Sequence, residues 1–330
     1  MIGRYVHGLH YDWSISLLVG VHAPTRSMAP FLNSSGYIFV RFRQEEILAL
    51  RQKWLEYAKN YGEDLKGTIL LSVEGVNLRL SGTVAAVHGM QEYLRQSDQR
   101  LRLFEFKISV SSFITLPTML VKLKQESIAM GREDIQVADH GSAPSISATE
   151  FKAWLDQEKE MLVLDTRNDY EVRLGTFERA QDLSIKSFRV FPTAAAEQLE
   201  KEPRDKPIVM FCTGGIRCEK ASYCLQKQGF NNVYQLDGGI LRYFETCGGA
   251  HYRGDCYVFD NRVAVSPALE ETQMTMCFKC RAPLKPHETQ LDSYRLNQSC
   301  CYCVHGKTDF RSSSVAAAAA VVPCKTQHYK

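Results

Sequence analysis

The sequence contains no apolar run near the roughly 20 residues that a helix needs to cross a bilayer, so it predicts no membrane segment. The best candidate for a targeting signal, residues 14–21, is short and follows His10 and Asp12 where a secretory signal has a basic flank. A Gly-x-Gly-x-x-Gly fingerprint, a haem-attachment motif and a two-His-one-carboxylate constellation are also absent. The sequence therefore offers no motif for a flavin, haem or nicotinamide cofactor.

Cysteine is absent from every position before Cys212, although the chain has eleven cysteines. Five of them lie between Cys277 and Cys303, in two closely spaced groups. This placement argues against a secreted disulfide scaffold, in which cysteines are spread along a short chain. Clustered pairs in a chain of this size indicate metal binding or catalysis and predict a reducing, cytoplasmic setting.

The length of 330 residues predicts two or three domains, and 45% apolar with 23% charged residues is ordinary for a soluble globular protein. The net charge is only +3, but residues 277–330 hold eight Lys or Arg against three Asp or Glu. A basic module suits contact with the phosphate backbone of a nucleic acid. A solvated tail would explain the same charge.

The first part of the chain has the pattern of a ferredoxin-like α+β domain over residues 36–110. Residues 1–35 show neither periodicity nor a motif and stay an unassigned extension. The predicted order is β-α-β-β-α-β, from strands at 37–42, 67–73, 76–80 and 102–110 and helices at 44–60 and 83–96. Such a domain exposes one face of its sheet, which often binds RNA or a partner, although the fold proves neither.

Residues 111–146 are predicted to be a connector that contains a basic, strand-like stretch at 119–124. Residues 147–250 alternate short apolar strands with helices, which predicts a doubly wound α/β domain. Its expected elements are helices at 148–157 and 217–229 and strands at 161–165, 208–211 and 232–236. A Cys-rich module at 251–306 and a low-complexity tail at 307–330 complete the chain.

The most specific motif is a six-residue loop that follows an apolar strand and leads into a helix. It consists of Cys212, Thr213, Gly214, Gly215, Ile216 and Arg217. The glycines allow successive N–H groups to turn inward beside the positive end of the helix, which makes a nest for an anion. A thiol in that nest, near an arginine, should ionise easily and act as a nucleophile. A merely buried cysteine at a strand end would explain Cys212 but not the glycines and the arginine around it.

Residues outside the loop are assigned to the same site as well. Cys218 is a candidate second thiol that resolves an intermediate or holds sulfur. Asp165 and Arg167, at the end of the strand before, are expected to brace the loop with Glu171, although plain structural support explains them equally well.

The length of the loop distinguishes between two classes of cysteine enzyme. Four residues separate Cys212 from Arg217, one fewer than in cysteine phosphatases that cradle a full phosphate. The smaller cradle resembles that of rhodanese sulfurtransferases, which carry a persulfide on cysteine. The stretch DTRNDYEVRLGTFERA at 165–180 resembles the rhodanese signature, with Gly-Thr-Phe where that signature has a Gly-His-Ile-like turn.

Two Cys-x-x-Cys pairs near the end of the chain have the spacing of a tetrahedral zinc site. The predicted ligands are Cys277, Cys280, Cys300 and Cys303, and nineteen residues separate the two pairs. Cys301 is an additional thiol that could replace a neighbour as ligand. The alternative is a set of free or oxidised thiols.

The strings LDTRNDYEVRLGTF, FCTGGIRCEKAS, VYQLDGGI and CYVFDNRVAV, in this order, resemble the rhodanese-domain tRNA uridine(34) hydroxylases. GTILLSVEGVN at 67–77 fits the ferredoxin-like domain of the same family. The resemblance implies an enzyme that makes 5-hydroxyuridine at the wobble position of tRNA with O2 as co-substrate. It also implies the anticodon loop as partner and Cys212 as the active-site residue, the position that carries a persulfide intermediate in rhodanese-type domains.

Three classes of function remain after this step. The favoured one is the tRNA hydroxylase, whose electron donor the sequence does not specify. A persulfide-based sulfurtransferase is the alternative, and a non-enzymatic scaffold is disfavoured because Cys212 and Arg217 are both intact. From charge alone, the candidates for RNA contact are Arg79, Lys122, Lys124 and Arg281, although exposed basic residues are usually just solvated.

Overall fold

The structure is a computed structural model, and it describes residues 30–304. Most of the predicted extension 1–35 and the whole predicted tail 307–330 lie outside the described residues. Within residues 30–304, no helix has the length and apolar character needed to traverse a membrane.

The N-terminal domain contains a five-stranded sheet in the order β4-β1-β3-β2-β5. Its first four strands have the order and the antiparallel pairing of a ferredoxin-like domain, which confirms the predicted fold. The elements are β1 (Phe31–Phe39), α1 (Gln44–Lys59), β2 (Leu65–Ser72), β3 (Gly75–Gly82), α2 (Val84–Ser97), β4 (Lys107–Ser111) and β5 (Met119–Leu123).

Two strands of this domain start more than two residues away from their predicted bounds. Strand β1 starts at Phe31, inside the segment left unassigned. The sequence does not predict this start because Asn33 to Ser35 are poor strand formers, which hydrogen bonds to distant residues hold in the strand. The Asn33 side chain donates to Ser111 Oγ at 2.8 Å, for example. Strand β4 begins only at Lys107, since the chain continues from a 3₁₀ turn at Gln99–Leu101 into a turn at 102–103 and irregular backbone at 104–106, which replace the first part of the predicted strand 102–110.

The predicted connector also contributes to this sheet. Its basic stretch forms β5, which pairs in parallel with β2 from Gly67 opposite Met119 to Leu71 opposite Leu123. The connector therefore adds a fifth strand to the ferredoxin-like sheet.

The two faces of the sheet have opposite character. Helices α1 and α2 cover one face, where Val76, Leu78 and Leu80 of β3 join a buried apolar cluster. Since side chains alternate along a strand, Asn77 and Arg79 lie on the other face. That polar face is turned toward the second domain and lines a cavity there.

The second domain is a parallel sheet in the order β6-β11-β10-β7-β9 with helices on both faces, as predicted for a doubly wound domain. Two separate apolar clusters fill the two sides of the sheet. The elements are α3 (Val137–His140), β6 (Ser145–Ile146), α4 (Ala148–Asp156), β7 (Leu162–Asp165), α5 (Asp169–Val172), β8 (Gly175–Phe177), β9 (Ala180–Asp182), α6 (Phe191–Gln198), β10 (Ile208–Phe211), α7 (Ile216–Lys227), β11 (Val233–Leu236) and α8 (Gly239–Cys247).

The predicted Cys-rich module 251–306 divides into two parts. Its first part packs on the second domain, because β12 (Tyr252–Gly254) pairs with β8. A short hairpin follows, formed by β13 (Cys256–Tyr257) and β14 (Ala264–Val265). The cysteine pairs surround a second hairpin, β15 (Thr275–Met276) with β16 (Pro283–Leu284), which has a small apolar cluster of its own.

A buried lysine joins the two larger domains. Lys220, on α7, is fully buried. Its Nζ lies 2.9 Å from a carboxylate oxygen of Glu74 in the β2–β3 turn and 2.8 Å from one of Glu126, in the segment predicted to be a connector. A buried lysine needs such partners, since an unpaired ammonium away from water is costly. This triad holds the polar sheet face against the end of β10.

Candidate active site

The cysteine loop starts directly after β10 and ends where α7 begins, as the sequence predicts. Gly215 has a φ of 102°, a conformation that side chains with a Cβ rarely adopt. A Cβ at this position would also lie 2.8 Å from the Tyr37 hydroxyl of the N-terminal domain. Glycine at 215 therefore serves both the turn of the loop and the close approach of β1.

Helix α8 holds the other side of the loop. The backbone amides of Ile240 and Leu241 donate to the carbonyls of Cys212 and Thr213 at 3.0 and 3.1 Å. This approach needs Gly239, because a Cβ there would lie 2.4 Å from the Cys212 carbonyl oxygen. No sequence motif predicted a role for Gly239; the two consecutive glycines after Asp237, close behind β11, were the available signal.

The Cys212 sulfur is surrounded by groups that stabilise its anion. Gly215 N–H donates to Sγ at 3.1 Å. Burial alone raises the pKa of this thiol, but a hydrogen bond from Cys218 and the positive charge of Arg217 outweigh burial. With the amides of Arg217 and Gly215 they lower the pKa of Cys212 to about 5. Cys212 is therefore a thiolate at neutral pH.

Cys218 has the opposite protonation state. Burial and the neighbouring Cys212 raise its pKa, so Cys218 keeps its proton. Its sulfur lies 3.7 Å from the Thr166 hydroxyl, which itself can donate to the Phe211 carbonyl at 3.0 Å. Cys218 is thus a buried thiol beside the thiolate.

The Arg217 guanidinium does not point at the Cys212 sulfur. It forms a two-pronged ion pair with Glu171, with N–O distances of 2.5 and 2.8 Å, and lies 3.5 Å from the Thr213 hydroxyl. The guanidinium lowers the pKa of Cys212 through its charge alone, whereas the backbone amide of Arg217 hydrogen-bonds to the sulfur.

Of the three residues expected to support the loop, only one contacts it. Asp165 and Arg167 are fully buried and pair with each other at 2.6 Å, and they bond to Gly175 and Thr176 of β8. Only Glu171, held at the start of α5, reaches the loop. Asp165 and Arg167 fix the neighbouring turn, because their side chains bond to each other and to β8.

A cavity of 390 Å³ opens above the loop, between three walls. The polar face of the N-terminal sheet forms one wall, the cysteine loop the second and residues 258–269 the third. Lining side chains with chemical interest are Tyr37, Arg79, Lys107, Cys212, Arg217 and Phe259. Of these, Tyr37, Lys107 and Phe259 were not singled out from the sequence, since each looks like an ordinary strand or loop residue.

Tyr37 connects the walls. Its hydroxyl donates to Glu219 on α7 at 3.0 Å, and burial followed by the charge of Glu219 raises its pKa, so the hydroxyl stays protonated. Phe259 lies between two guanidinium groups, 5.1 Å from Arg79 and 5.7 Å from Arg217.

The four predicted metal ligands come together. The sulfur atoms of Cys277, Cys280, Cys300 and Cys303 all lie within 4.8 Å of one another, and Cys301 does not belong to this group. Two of the separations, Cys277 to Cys303 and Cys280 to Cys300, are 4.0 and 3.6 Å. The cluster can hold a metal ion.

Comparison with known proteins gives the family. A family model described as the UPF0176 acylphosphatase like domain matches residues 31–127, and the Rhodanese-like domain matches residues 147–246. The tRNA uridine(34) hydroxylase of Cupriavidus necator is 44% identical over 281 residues, which cover 84% of this chain and 97% of that protein. The chain belongs to the tRNA uridine(34) hydroxylase family. Its membership confirms the resemblance seen in the sequence strings.

Other relatives of the hydroxylase family match over a similar range. The tRNA uridine(34) hydroxylase of Paraburkholderia xenovorans is 42% identical over 280 residues, which cover 82% of this chain and 96% of that protein. Among solved structures, the rhodanese-like domain of an Anabaena protein aligns with 34% of this chain and 80% of its own, at 20% identity and a TM-score of 0.29.

Proposed function

We propose that this chain hydroxylates the wobble uridine of tRNA, position 34, to 5-hydroxyuridine, with O2 as co-substrate and Cys212 as the reacting residue. The observation that carries the proposal is a thiolate in the wall of a 390 Å³ cavity, in a chain whose relatives are named tRNA uridine(34) hydroxylases. Pockets for small molecules span about 300–1,000 Å³, so a nucleobase fits. The wobble base is single-stranded in the anticodon loop and enters such a pocket at modest unstacking cost.

The chemistry proposed for Cys212 is addition of its thiolate to C6 of the uracil ring. As the sulfur–carbon bond forms, the C5=C6 electron pair moves toward C5 and the O4 carbonyl, so C5 becomes electron-rich and open to oxidation by O2. Once C5 carries oxygen, loss of the C5 proton expels the thiolate and restores the ring. The net reaction consumes one O2, two electrons and two protons and releases one water, so an external reductant takes part.

The other loop residues are proposed to keep the sulfur ionised and in position. The Gly215 amide and the Cys218 thiol donate to it, and Arg217 supplies a fixed positive charge. Glu171 holds that charge in place by its two bonds to the guanidinium. Cys218 remains a candidate for resolving an intermediate.

Replacement of the reacting sulfur tests the proposal. In a strain that lacks its own enzyme, the wild-type chain should produce 5-hydroxyuridine in tRNA, and Cys212→Ser should produce none while retaining the wild-type melting temperature. The matched control is Cys247→Ser, at the end of α8 and outside the cavity lining, which should modify tRNA normally. Mass spectrometry of tRNA nucleosides measures both. Wild-type levels of 5-hydroxyuridine in the Cys212→Ser strain would exclude this role for Cys212.

A persulfide-based sulfurtransferase is the second candidate, favoured by the short loop and the ionised sulfur of Cys212. The thiosulfate:cyanide assay addresses it directly. Thiocyanate formation that depends on Cys212, together with unchanged tRNA nucleosides, would replace the hydroxylase proposal by this one.

We also propose that the cysteine cluster binds structural zinc. Zn–S bonds of about 2.3 Å in a tetrahedron place sulfur atoms roughly 3.8 Å apart. The separations of 4.0 and 3.6 Å fit that arrangement with little movement.

A further inference from the structure

The cavity contains two positive charges that have no carboxylate partner. Among the cations that line it, Lys186 pairs with Asp169, Arg217 with Glu171 and Arg262 with Asp260. Within residues 30–304, the side chains of Arg79 and Lys107 make neither an ion pair nor a hydrogen bond. The cavity therefore carries an excess of positive charge at these two side chains.

Both cations lie in one row of the N-terminal sheet. Ser35 of β1 pairs with Arg79 of β3 on one side and with Lys107 of β4 on the other. Neighbouring strands are about 4.8 Å apart, so the Cα atoms of Arg79 and Lys107 are roughly 10 Å apart, with a serine between them. All three side chains line the cavity that contains Cys212.

The two charges are held in an environment that disfavours them. Burial lowers the pKa of Arg79 and also that of Lys107, where nearby Arg242 adds to the effect. The more distant negative charges of Asp260 near Arg79, and of Cys212, Asp237 and Glu245 near Lys107, offset only part of this lowering. Aromatic rings offset part of this cost: Phe259 lies 5.1 Å from the Arg79 guanidinium, and Tyr37 lies 5.3 Å from the Lys107 ammonium. A ring supplies no acceptor for the N–H donors, so these remain available to an anion.

We propose that Arg79 and Lys107 form a binding site for a backbone phosphodiester of the RNA, adjacent to the nucleotide whose base contacts Cys212. The inference rests on the proposed function, because the uracil ring is neutral and the phosphates beside it carry the charge of the substrate. Phosphate contacts position a nucleic acid without reading its bases. This pair fixes the target nucleotide over the sulfur.

Charge-removing variants test the site. Arg79→Gln and Lys107→Gln should each raise the KM for tRNA about tenfold, a change that corresponds to about 1.4 kcal/mol, with a smaller effect on kcat. Each should also lower the slope of log affinity against log salt by roughly 0.7, the value expected for one lost contact to a single-stranded phosphate. Arg79→Lys should restore part of the affinity. The control Lys53→Gln removes an exposed positive charge from α1, on the opposite side of the sheet, and should change neither value.

Stability separates binding from a structural role. Because neither cation has a carboxylate partner, the glutamine variants should melt at or above the wild-type temperature. A structural role predicts a lower melting temperature together with normal KM and salt slope in the folded fraction, and that outcome would overturn the site.

Binding of an anticodon stem-loop to the Cys212→Ser chain separates the phosphate site from the hydroxylation itself. If wild type does not hydroxylate tRNA but the two glutamine variants lose stem-loop binding, the phosphate site stands and the proposed function fails. If wild type hydroxylates and both variants bind and react normally, the phosphate site alone is wrong. Loss of thiosulfate turnover with unchanged RNA binding would assign the cations to a small sulfur donor and refute the phosphodiester.

Discussion

The ionisation of Cys212 depends on a few donors whose removal should be measurable. The Cys218 thiol donates to the Cys212 sulfur, the Gly215 amide donates at 3.1 Å, and Arg217 contributes charge from its pair with Glu171. A lowered pKa means that the thiolate is present above about pH 5 and is lost as the pH falls through that value. An ordinary cysteine ionises near pH 8.5.

We expect Cys218→Ala to raise the pKa of Cys212 by roughly one unit, because the thiolate loses a hydrogen-bond donor. Thiolate absorbance at 240 nm, followed against pH with the Cys212→Ser signal subtracted, measures the shift. Cys224→Ala, on the same helix but outside the cavity lining, should leave the titration unchanged. A midpoint that does not move in Cys218→Ala would remove Cys218 from the electrostatics of the site.

The residues of the site differ in how well the sequence predicts them. The cysteine loop is recognisable because its nucleophile, glycines and arginine are consecutive. Tyr37 and Lys107 come from strands far from Cys212 in sequence and reach the cavity only through sheet pairing and domain contact. The direction of the Arg217 side chain was equally hidden, since Glu171 competes with the sulfur for it and only the packing of α5 decides between them.

Helix α7 carries out two tasks at the level of secondary structure. Its first turns close the cysteine loop, and Lys220 on the same helix joins the domains through Glu74 and Glu126. The sequence predicts both ends of the helix to within two residues. The partners of Lys220, Glu74 and Glu126, are far from it in the sequence and leave no local signal. Strand β1 is the reverse case, because its local propensity is weak and its long-range pairing is strong.

Replacing Lys220 by methionine should destabilise the chain by about 3–5 kcal/mol, because Glu74 and Glu126 would lose their buried partner. Lys227→Met, on the same helix, should cost no more than about 1 kcal/mol, since its pair with Asp134 is largely exposed to solvent. Urea unfolding of both variants measures the difference. Equal decreases in the free energy of unfolding would show that the buried ion pairs of Lys220 stabilise the chain no more than the exposed pair of Lys227.

At the level of the whole molecule, the cysteine module is attached to the second domain by a polar contact, beside which Met276 of β15 packs on an apolar cluster that includes Leu174. Arg173, at the end of α5, bonds to Glu288 at 3.0 Å and to the Pro283 carbonyl, and it stacks on the Tyr302 ring at 4.5 Å. Glu288 is buried within the module. We expect a metal ion held by the four cysteines to stabilise a unit that contacts the helix carrying Glu171.

Loss of one sulfur ligand should release the metal and loosen this unit. We expect about one zinc per wild-type chain by native mass spectrometry, and none for Cys280→Ser, with a lower melting temperature. Cys301→Ser should keep its zinc, because Cys301 does not belong to the group of four sulfur atoms. If Cys280→Ser retained zinc and Cys301→Ser lost it, Cys301 would be the zinc ligand in place of Cys280.

The third wall of the cavity has a consequence for how the protein is made. Residues 258–269 come after both larger domains in the chain, and β12 ties them back to β8. A ribosome must therefore synthesise the chain beyond residue 269 before the chamber around the sulfur can close. A product that terminates earlier would lack the third wall of the cavity, and its reactive thiolate would be exposed to cellular oxidants as well as to RNA.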